Sequence, residues 1–261
     1  MVPDFVIIIP TYNEEKTIEE TLHYIKKQRT QASVRVVVVD GGSTDRTVEI
    51  ANKNVKVLQS PKKGKAYQLN FAASQTNSKF LIFLDADTHL PFNYVERVHH
   101  EFQKDSELWA CGGPIMYTGR RFGVWHTFVV IQAMIDFPSF AFFNYIWVLL
   151  QRLPNAHYKI RQVNFFYNLS MFLYYTIRQV FRFTEFTGSN ICIRRKIFEK
   201  IGGFRQPPKL GVDMLFSTIL RKYIQKERRG KMKIIHSLFV ETDVRHLATV
   251  RSLKRLIQHR I

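Results

Sequence analysis

The sequence predicts an α/β protein with a mostly parallel sheet and helices on both of its faces. Two observations carry that expectation. Short β-branched runs alternate with stretches of helical periodicity over the first 90 residues. The polar residues of this region gather just after the runs, at the strand ends where open α/β sheets bind ligands.

The elements follow in order. Phe5 to Ile9 is an apolar run closed by Pro10 and reads as a buried strand. Glu14 to Gln28 places Ile18, Leu22 and Ile25 at helical spacing, with acids in the first turn and Lys26 and Lys27 in the last. Val34 to Val39 is a second strand, ended by Asp40-Gly41-Gly42. Ser43 or Thr44 is placed to cap the next helix, which runs to about Asn52. Val55 to Leu58 is a third strand, Gly64 to about Gln75 a third helix, and Phe80 to Leu84 a fourth strand running into Asp85-Ala86-Asp87. The pattern β-α-β-α-β-α-β predicts right-handed crossovers. Further on, Gly188 to Arg194 reads as a strand and Lys196 to Ile201 as a short helix ending at Gly202-Gly203-Phe204. Val212 to Tyr223 reads as a helix and Lys233 to Ile235 as an edge strand. His246 to Arg260 is a helix with Leu247, Val250, Leu253, Leu256 and Ile257 on one face, and Arg251, Lys254, Arg255 and Arg260 on the other.

Composition narrows the class. The chain has 261 residues, of which 46% are hydrophobic, enough for a sizeable core. Two cysteines, Cys111 and Cys192, make no disulfide framework and suit a reducing compartment as small core residues. Met1 to Pro10 lacks the basic start and long apolar run of a signal peptide. Charge is lopsided: residues 1–119 carry 14 basic and 14 acidic side chains, and residues 120–261 carry 25 and 7. The net +18 therefore sits in the second half, which points to a polyanionic surface, either nucleic acid or an anionic membrane face, or to a solvated basic surface.

The stretch from Phe122 to Phe186 holds 19 of the 36 aromatic residues. Residues 137–151 and 162–177 are free of formal charge, yet each falls short of the ~20 residues a spanning helix needs. Arg120, Arg121, Arg152, Lys159, Arg161, Arg178 and Arg182 flank them. Aromatic helices edged by Arg and Lys suit in-plane docking at the membrane–water interface. A buried core, a homo-oligomer contact or a transmembrane hairpin are the other uses of such a segment. Three parts result: 1–119, an aromatic-rich insertion over 120–186, and 187–261 with the basic last helix.

Asp85-Ala86-Asp87 is the sharpest local feature. Two carboxylates one residue apart at a strand end can share a hard divalent cation and a ribose hydroxyl. An isolated pair of this kind is more often a solvated turn. Asp40 before Gly41-Gly42 can accept from a base or ribose, or simply close an Asx turn. Lys62, Lys63 and Lys65 around Gly64 open a helix in a way that suits a phosphate, or form a solvated basic loop.

The ensemble is more specific than its parts. Pro10-Thr-Tyr-Asn-Glu14, Asp40-Gly-Gly-Ser-Thr-Asp45, Lys63-Gly-Lys-Ala66 with Asn70, Asp85-Ala-Asp87, Gly188-Ser-Asn190, Gly202-Gly-Phe204 and Gly211-Val-Asp213 occur in this order. The chain thereby resembles the inverting, nucleotide-sugar-dependent glycosyltransferases of family 2, which have the GT-A fold. The likeness is specific over 4–90, good over 187–217 and absent over 120–185. It implies that Pro10, Thr11, Tyr12 and Glu14 form the base and ribose site, that Asp40 reads the base, and that Lys65 lies by the donor. It implies that Asp85 touches ribose and metal, that Asp87 binds the metal (Mg²⁺ or Mn²⁺), and that Asp213 is the catalytic base. Val212 stands where the family usually has Glu. Arg245 and His246, at the start of the last helix, would reach the diphosphate and the metal; His236 is a weaker candidate.

The implied donor is a UDP- or GDP-sugar. Together with the aromatic segment and the basic half, the resemblance implies a membrane lipid-linked acceptor, a polyprenyl phosphate or lipid-linked saccharide. The enzyme would then sit at the cytoplasmic face of the membrane, peripheral or monotopic. An ionised lipid phosphate would not need Asp213 as a base. A nucleotidyltransferase of sugar phosphates is the alternative enzyme class. Nucleic acid is not the expected partner, because no binding motif accompanies the charge.

Overall fold

The computed structural model describes residues 2–118, 186, 190–206 and 211–243. Contacts divide the chain into one unit of Met1–Ile115 with Tyr175–Glu241 and another of Met116–Tyr174 with Thr242–Ile261. The described part of the second unit is limited to strand ends, so the architecture below is that of the first. Apart from Phe186, the aromatic insertion lies outside the described residues, as do the helix expected over 246–260, Gly188, Arg245 and His246.

Over the first 90 residues the elements alternate as expected: β1 (Phe5–Thr11), α1 (Ile18–Lys26), β2 (Val34–Asp40), α2 (Thr47–Asn52), β3 (Lys56–Gln59), α3 (Lys65–Ser74) and β4 (Phe80–Phe83). They are followed by β5 (Thr88–His89), α4 (Tyr94–Lys104), β6 (Leu108–Gly112) and β7 (Ile115–Thr118). After the insertion come β8 (Ile191–Arg194), α5 (Arg195–Lys200), α6 (Val212–Glu227), β9 (Lys231–Ile234), a single 3₁₀ turn (His236–Leu238) and β10 (Val240–Asp243).

Seven strands form one sheet in the order β3-β2-β1-β4-β8-β6-β9. The β1–β2, β1–β4, β2–β3 and β6–β9 pairs are parallel, and β8 runs antiparallel to both β4 and β6. Phe5 to Ile9 are all fully buried. Successive strand residues face opposite sides, so both faces of the sheet centre are covered. Each such side chain stabilises the fold by about 1.5–3 kcal/mol relative to exposure.

Two boundaries differ from expectation for the same reason. Helix α1 starts at Ile18, not Glu14. Asn13 takes a left-handed φ of 57°, and the amides of Glu14 and Glu15 bond the Thr47 hydroxyl and the Asp45 carboxylate. Helix α2 starts at Thr47, because Asp45 accepts from the Thr47 amide, while Ser43 and Thr44 bond to Asp40 and Asn13 instead of capping. The polar residues between strand and helix are spent on joining two loops.

The adjacent Arg194 and Arg195 close two helices. Arg194 donates to the carbonyls of Phe102, Asp105 and Leu108, with its guanidinium 5.3 Å from the Phe80 ring and 5.2 Å from the Phe102 ring. Arg195, buried, donates to the Ala73 and Ser78 carbonyls and to the Thr76 and Ser78 hydroxyls. The Phe102 and Asp105 carbonyls lie at the C-terminal end of α4 and the Ala73 carbonyl at that of α3, where helix carbonyls run short of partners; the Ser78 and Leu108 carbonyls belong to the segments leading into β4 and β6. Cys111 and Cys192 are buried, free and directly opposite in the β6–β8 ladder, as small core residues would be. Tyr94 donates its hydroxyl to Asn190 beside them.

Candidate active site

The parallel register assembles the strand-end edge where the donor site is expected. Thr11 at the end of β1 lies opposite Asp40 at the end of β2, and Pro10 opposite Val39. The Thr11 hydroxyl donates to Asp40 at 3.2 Å. Asp40 is buried, and its carboxylate also accepts from the amides of Gly42 and Ser43, both at 2.9 Å, and from the Ser43 hydroxyl. The aspartate therefore closes an Asx turn at the floor of this edge. Asn13 joins that turn to the β1 end: its amide donates to Ser43 Oγ at 2.9 Å, and its side-chain oxygen accepts from the Thr44 amide at 2.8 Å. Glu14 accepts from the Thr17 hydroxyl at 2.9 Å. Tyr12 stands 53% exposed over this platform, with the Lys63 ammonium 5.9 Å from its ring centroid.

Gln68 was not picked out by sequence reasoning. It is buried on α3, and its Nε2 donates to the carbonyls of Thr11 at 2.8 Å and Val39 at 2.9 Å. The side-chain amide thus ties the ends of β1 and β2 together. A lone glutamine on a helix gives no sequence signal of this; only its partners reveal it.

The second cluster forms around Lys65, the first residue of α3 after Gly64. Its ammonium pairs with Asp85 just beyond β4. Ala86 is buried and its carbonyl accepts from the Thr21 hydroxyl at 2.8 Å, which leaves Asp85 and Asp87 half-buried on either side. Burial works against the charge on Lys65, yet Asp85 beside it, with the charges of Asp213 and Asp87, holds its ammonium above the usual lysine range. Asp213 lies in the first turn of α6, and its charge acts in the same direction on Lys65. Two half-buried carboxylates, one residue apart, lie beside one ammonium, so the cluster has room for added positive charge.

That donor set fits a hard divalent cation. Mg²⁺ and Mn²⁺ take one or two carboxylates and complete their shell with phosphate oxygens and water. Among the described residues no group of three His, Cys, Asp or Glu could hold a metal by itself. Asp85 and Asp87 would hold it with help from a bound diphosphate. His236 sits on the 3₁₀ turn, where burial lowers its pKa and favours the neutral ring.

A mostly parallel sheet with one reversed strand, an aspartate turn at the second strand and a D-x-D at the fourth defines a GT-A protein. Residues 6–202 match the model of Glycosyl transferase family 2, and the chain belongs to that family. It is similar to the poly(ribitol-phosphate) beta-N-acetylglucosaminyltransferase TarS of Staphylococcus aureus, 38% identical over 94 residues, covering 33% of this chain and 16% of TarS. It is also similar to the dolichyl N-acetyl-alpha-D-glucosaminyl phosphate 3-beta-D-2,3-diacetamido-2,3-dideoxy-beta-D-glucuronosyltransferase of Methanococcus voltae, 25% identical over 122 residues, 42% of this chain and 38% of that one. The chain thus matches well under half the length of these relatives. Among solved structures, the mannosyltransferase PcManGT of Pyrobaculum calidifontis in complex with GDP-Man and Mn²⁺ superposes with a TM-score of 0.61 at 20% identity, covering 99% of this chain and 63% of that one. TarS 1–349 in complex with UDP-GlcNAc gives 0.59 at 19% identity, covering 92% and 58%. At these identities the structures show a shared fold.

Proposed function

We propose that this chain is an inverting glycosyltransferase that moves a sugar from a UDP- or GDP-sugar to a lipid-linked acceptor at a membrane surface. The observation that carries the reading is the Lys65–Asp85 pair, with Asp87 next to it, on the helix that Gln68 ties to the ends of β1 and β2. Thr11, Tyr12 and the turn closed by Asp40 hold the base and ribose, with Pro10 and Glu14 shaping the loop. Lys65 neutralises the diphosphate and orients Asp85 toward the ribose. A cation held by Asp85 and Asp87 would supply further charge stabilisation to the leaving diphosphate. Asp213 accepts the proton of an acceptor hydroxyl attacking the anomeric carbon from the far side, a step worth about 10²–10⁴-fold. Arg245 and His246 are further candidates for the diphosphate and the metal.

Nucleotide-sugars in the titles of the two solved structures, GDP-Man and UDP-GlcNAc, support the donor class. The dolichyl phosphate in the name of the Methanococcus voltae relative supports a lipid-linked acceptor. The +18 charge and the aromatic insertion support docking from the cytoplasmic face, since each Lys or Arg near an anionic bilayer is worth about 1 kcal/mol. Among the described residues no helix is long and apolar enough to cross a membrane.

The test is nucleoside diphosphate release from a panel of UDP- and GDP-sugars with Mg²⁺ or Mn²⁺ and a host lipid extract. Release from one donor, enhanced by lipid and lost in Asp87→Ala, is expected. Pyrophosphate as the product would replace glycosyl transfer with nucleotidyl transfer. Release indifferent to lipid, with no binding to anionic liposomes, would remove the membrane acceptor.

A further inference from the structure

Helix α3 makes three polar attachments at its carboxyl-edge end and along its length. Lys65 pairs with Asp85, and Gln68 bonds the ends of β1 and β2. The third is Asn70. Its Nδ2 donates to the carbonyl of Phe204 at 2.7 Å, and its Oδ1 accepts from the amide of the same residue at 2.9 Å. One amide side chain thus satisfies both backbone groups of a residue 134 positions away, as a neighbouring strand would.

The turn so gripped is the Gly202-Gly203 pair, with φ of 77° and 67°. At Gly203 a Cβ would come within 2.5 Å of Asn70 Oδ1, so the left-handed backbone and the close approach both call for glycine. The grip is passed on through the next side chain. The Phe204 ring packs on Phe216 of α6 with centroids 4.4 Å apart, and on Phe83 of β4 at 4.8 Å. Phe216 is fully buried and lies three residues after Asp213 on the same helix. A continuous path therefore runs from α3 through Asn70, Phe204 and Phe216 to the helix that carries Asp213. The same α3 carries Lys65, the partner of Asp85.

We infer that Asn70 is a positioning residue: its paired hydrogen bonds to Phe204 set where Asp213 stands relative to the Lys65–Asp85 donor cluster. Both polar atoms of the Asn70 side chain are engaged by Phe204. The inference rests on Asp213 acting in glycosyl transfer, and it separates two functions along one helix. Gln68 organises the donor edge and Asn70 the acceptor edge.

The experiment compares full-length wild type with Asn70→Ala, Asn70→Asp and Gln68→Ala. It measures kcat, donor KM and, by calorimetry, nucleoside diphosphate affinity with Mn²⁺. Asn70→Ala is expected to lower kcat by about 10²-fold, the scale of a 1 Å misplacement, and to leave nucleotide affinity within about threefold. Gln68→Ala is expected to do the reverse, raising donor KM more than it lowers kcat. Asn70→Asp keeps the acceptor for the Phe204 amide but sets a carboxylate against the Phe204 carbonyl. Once protonated it can donate as the amide does, so its kcat relative to wild type is expected to rise as pH falls. A loss of nucleotide affinity equal to the loss of kcat in Asn70→Ala, or an Asn70→Asp/wild-type ratio flat with pH, would overturn the inference.

Hydrogen exchange gives an arm independent of turnover. Asn70→Ala is expected to raise exchange at Phe204 and over the first turns of α6, and to leave β1 and β2 protected. Unchanged exchange at α6 overturns the positioning role even if the wild type shows no transferase activity. Raised exchange at α6 in an enzyme without turnover would refute the proposed function and keep the mechanical link.

Discussion

The proposed donor edge and acceptor edge of the candidate site are built in different ways. At the donor edge, Thr11 and Asp40 meet because neighbouring parallel strands put them opposite each other, and the loops that follow knit together within a few residues. At the acceptor edge, Asp213 arrives on a helix whose Phe216 packs on Phe204, and Phe204 is held by Asn70 from 134 residues away. Backbone ladders place the first set, and packing places the second. A site whose halves are anchored so differently can be broken in two distinguishable ways.

The most severe break should come from the charges themselves. Asp213→Ala and Asp87→Ala are each expected to lower nucleoside diphosphate release by about 10²–10⁴-fold, with melting temperature little changed. A residual rate near wild type in Asp213→Ala, with a lipid phosphate acceptor, would instead assign that aspartate to positioning the acceptor.

Arg195→Met should cost about 2–4 kcal/mol of stability, measured by denaturant unfolding, because it takes a donor from the Ala73 carbonyl at the end of α3 and from the Ser78 carbonyl before β4. Gly203→Ala should cost about 1–3 kcal/mol through its positive φ and its approach to Asn70, with kcat falling more than nucleotide affinity. The contrast between these two variants sharpens the comparison: one loosens the whole of α3, the other only the acceptor edge.

The smallest effect belongs to the surface. Hydrogen bonds from Arg46 and Lys53, with their charges, hold the Glu49 carboxyl at about 2. A depressed carboxyl contributes stability above its unfolded pKa and loses it as pH falls through the folded one. The contribution of Glu49 should therefore fade between about pH 4.5 and 2. Glu49 is 54% exposed, so salt should erase the difference between wild type and Glu49→Gln in thermal unfolding at neutral pH.

What could be read from the sequence follows the same division. The strand runs and the helix stripes of the first 90 residues stand out because burial on both faces demands unbroken apolar runs, and burial on one face demands helical spacing. The sequence places both helix starts too early, since Ser43 and Thr44 look like capping residues, and Glu14 like a first-turn acid, until their loop partners are known. Helix α4, whose Tyr94, Val95, Val98 and Phe102 are buried, went unassigned although its stripe is present.

The sequence by itself determined the alternation of elements, the polar residues that end the strands and, through the order of its motifs, the family. These are local facts, set by residue type within a dozen positions. Only the tertiary structure decided that Asp40 closes its own turn, that Gln68 joins two strand ends, that Arg194 and Arg195 close two helices, and that Asn70 grips Phe204. Each of those depends on a partner roughly 30 to 130 residues away for all but the aspartate, and a polar side chain carries no mark of its partner until packing brings the two into hydrogen-bonding distance.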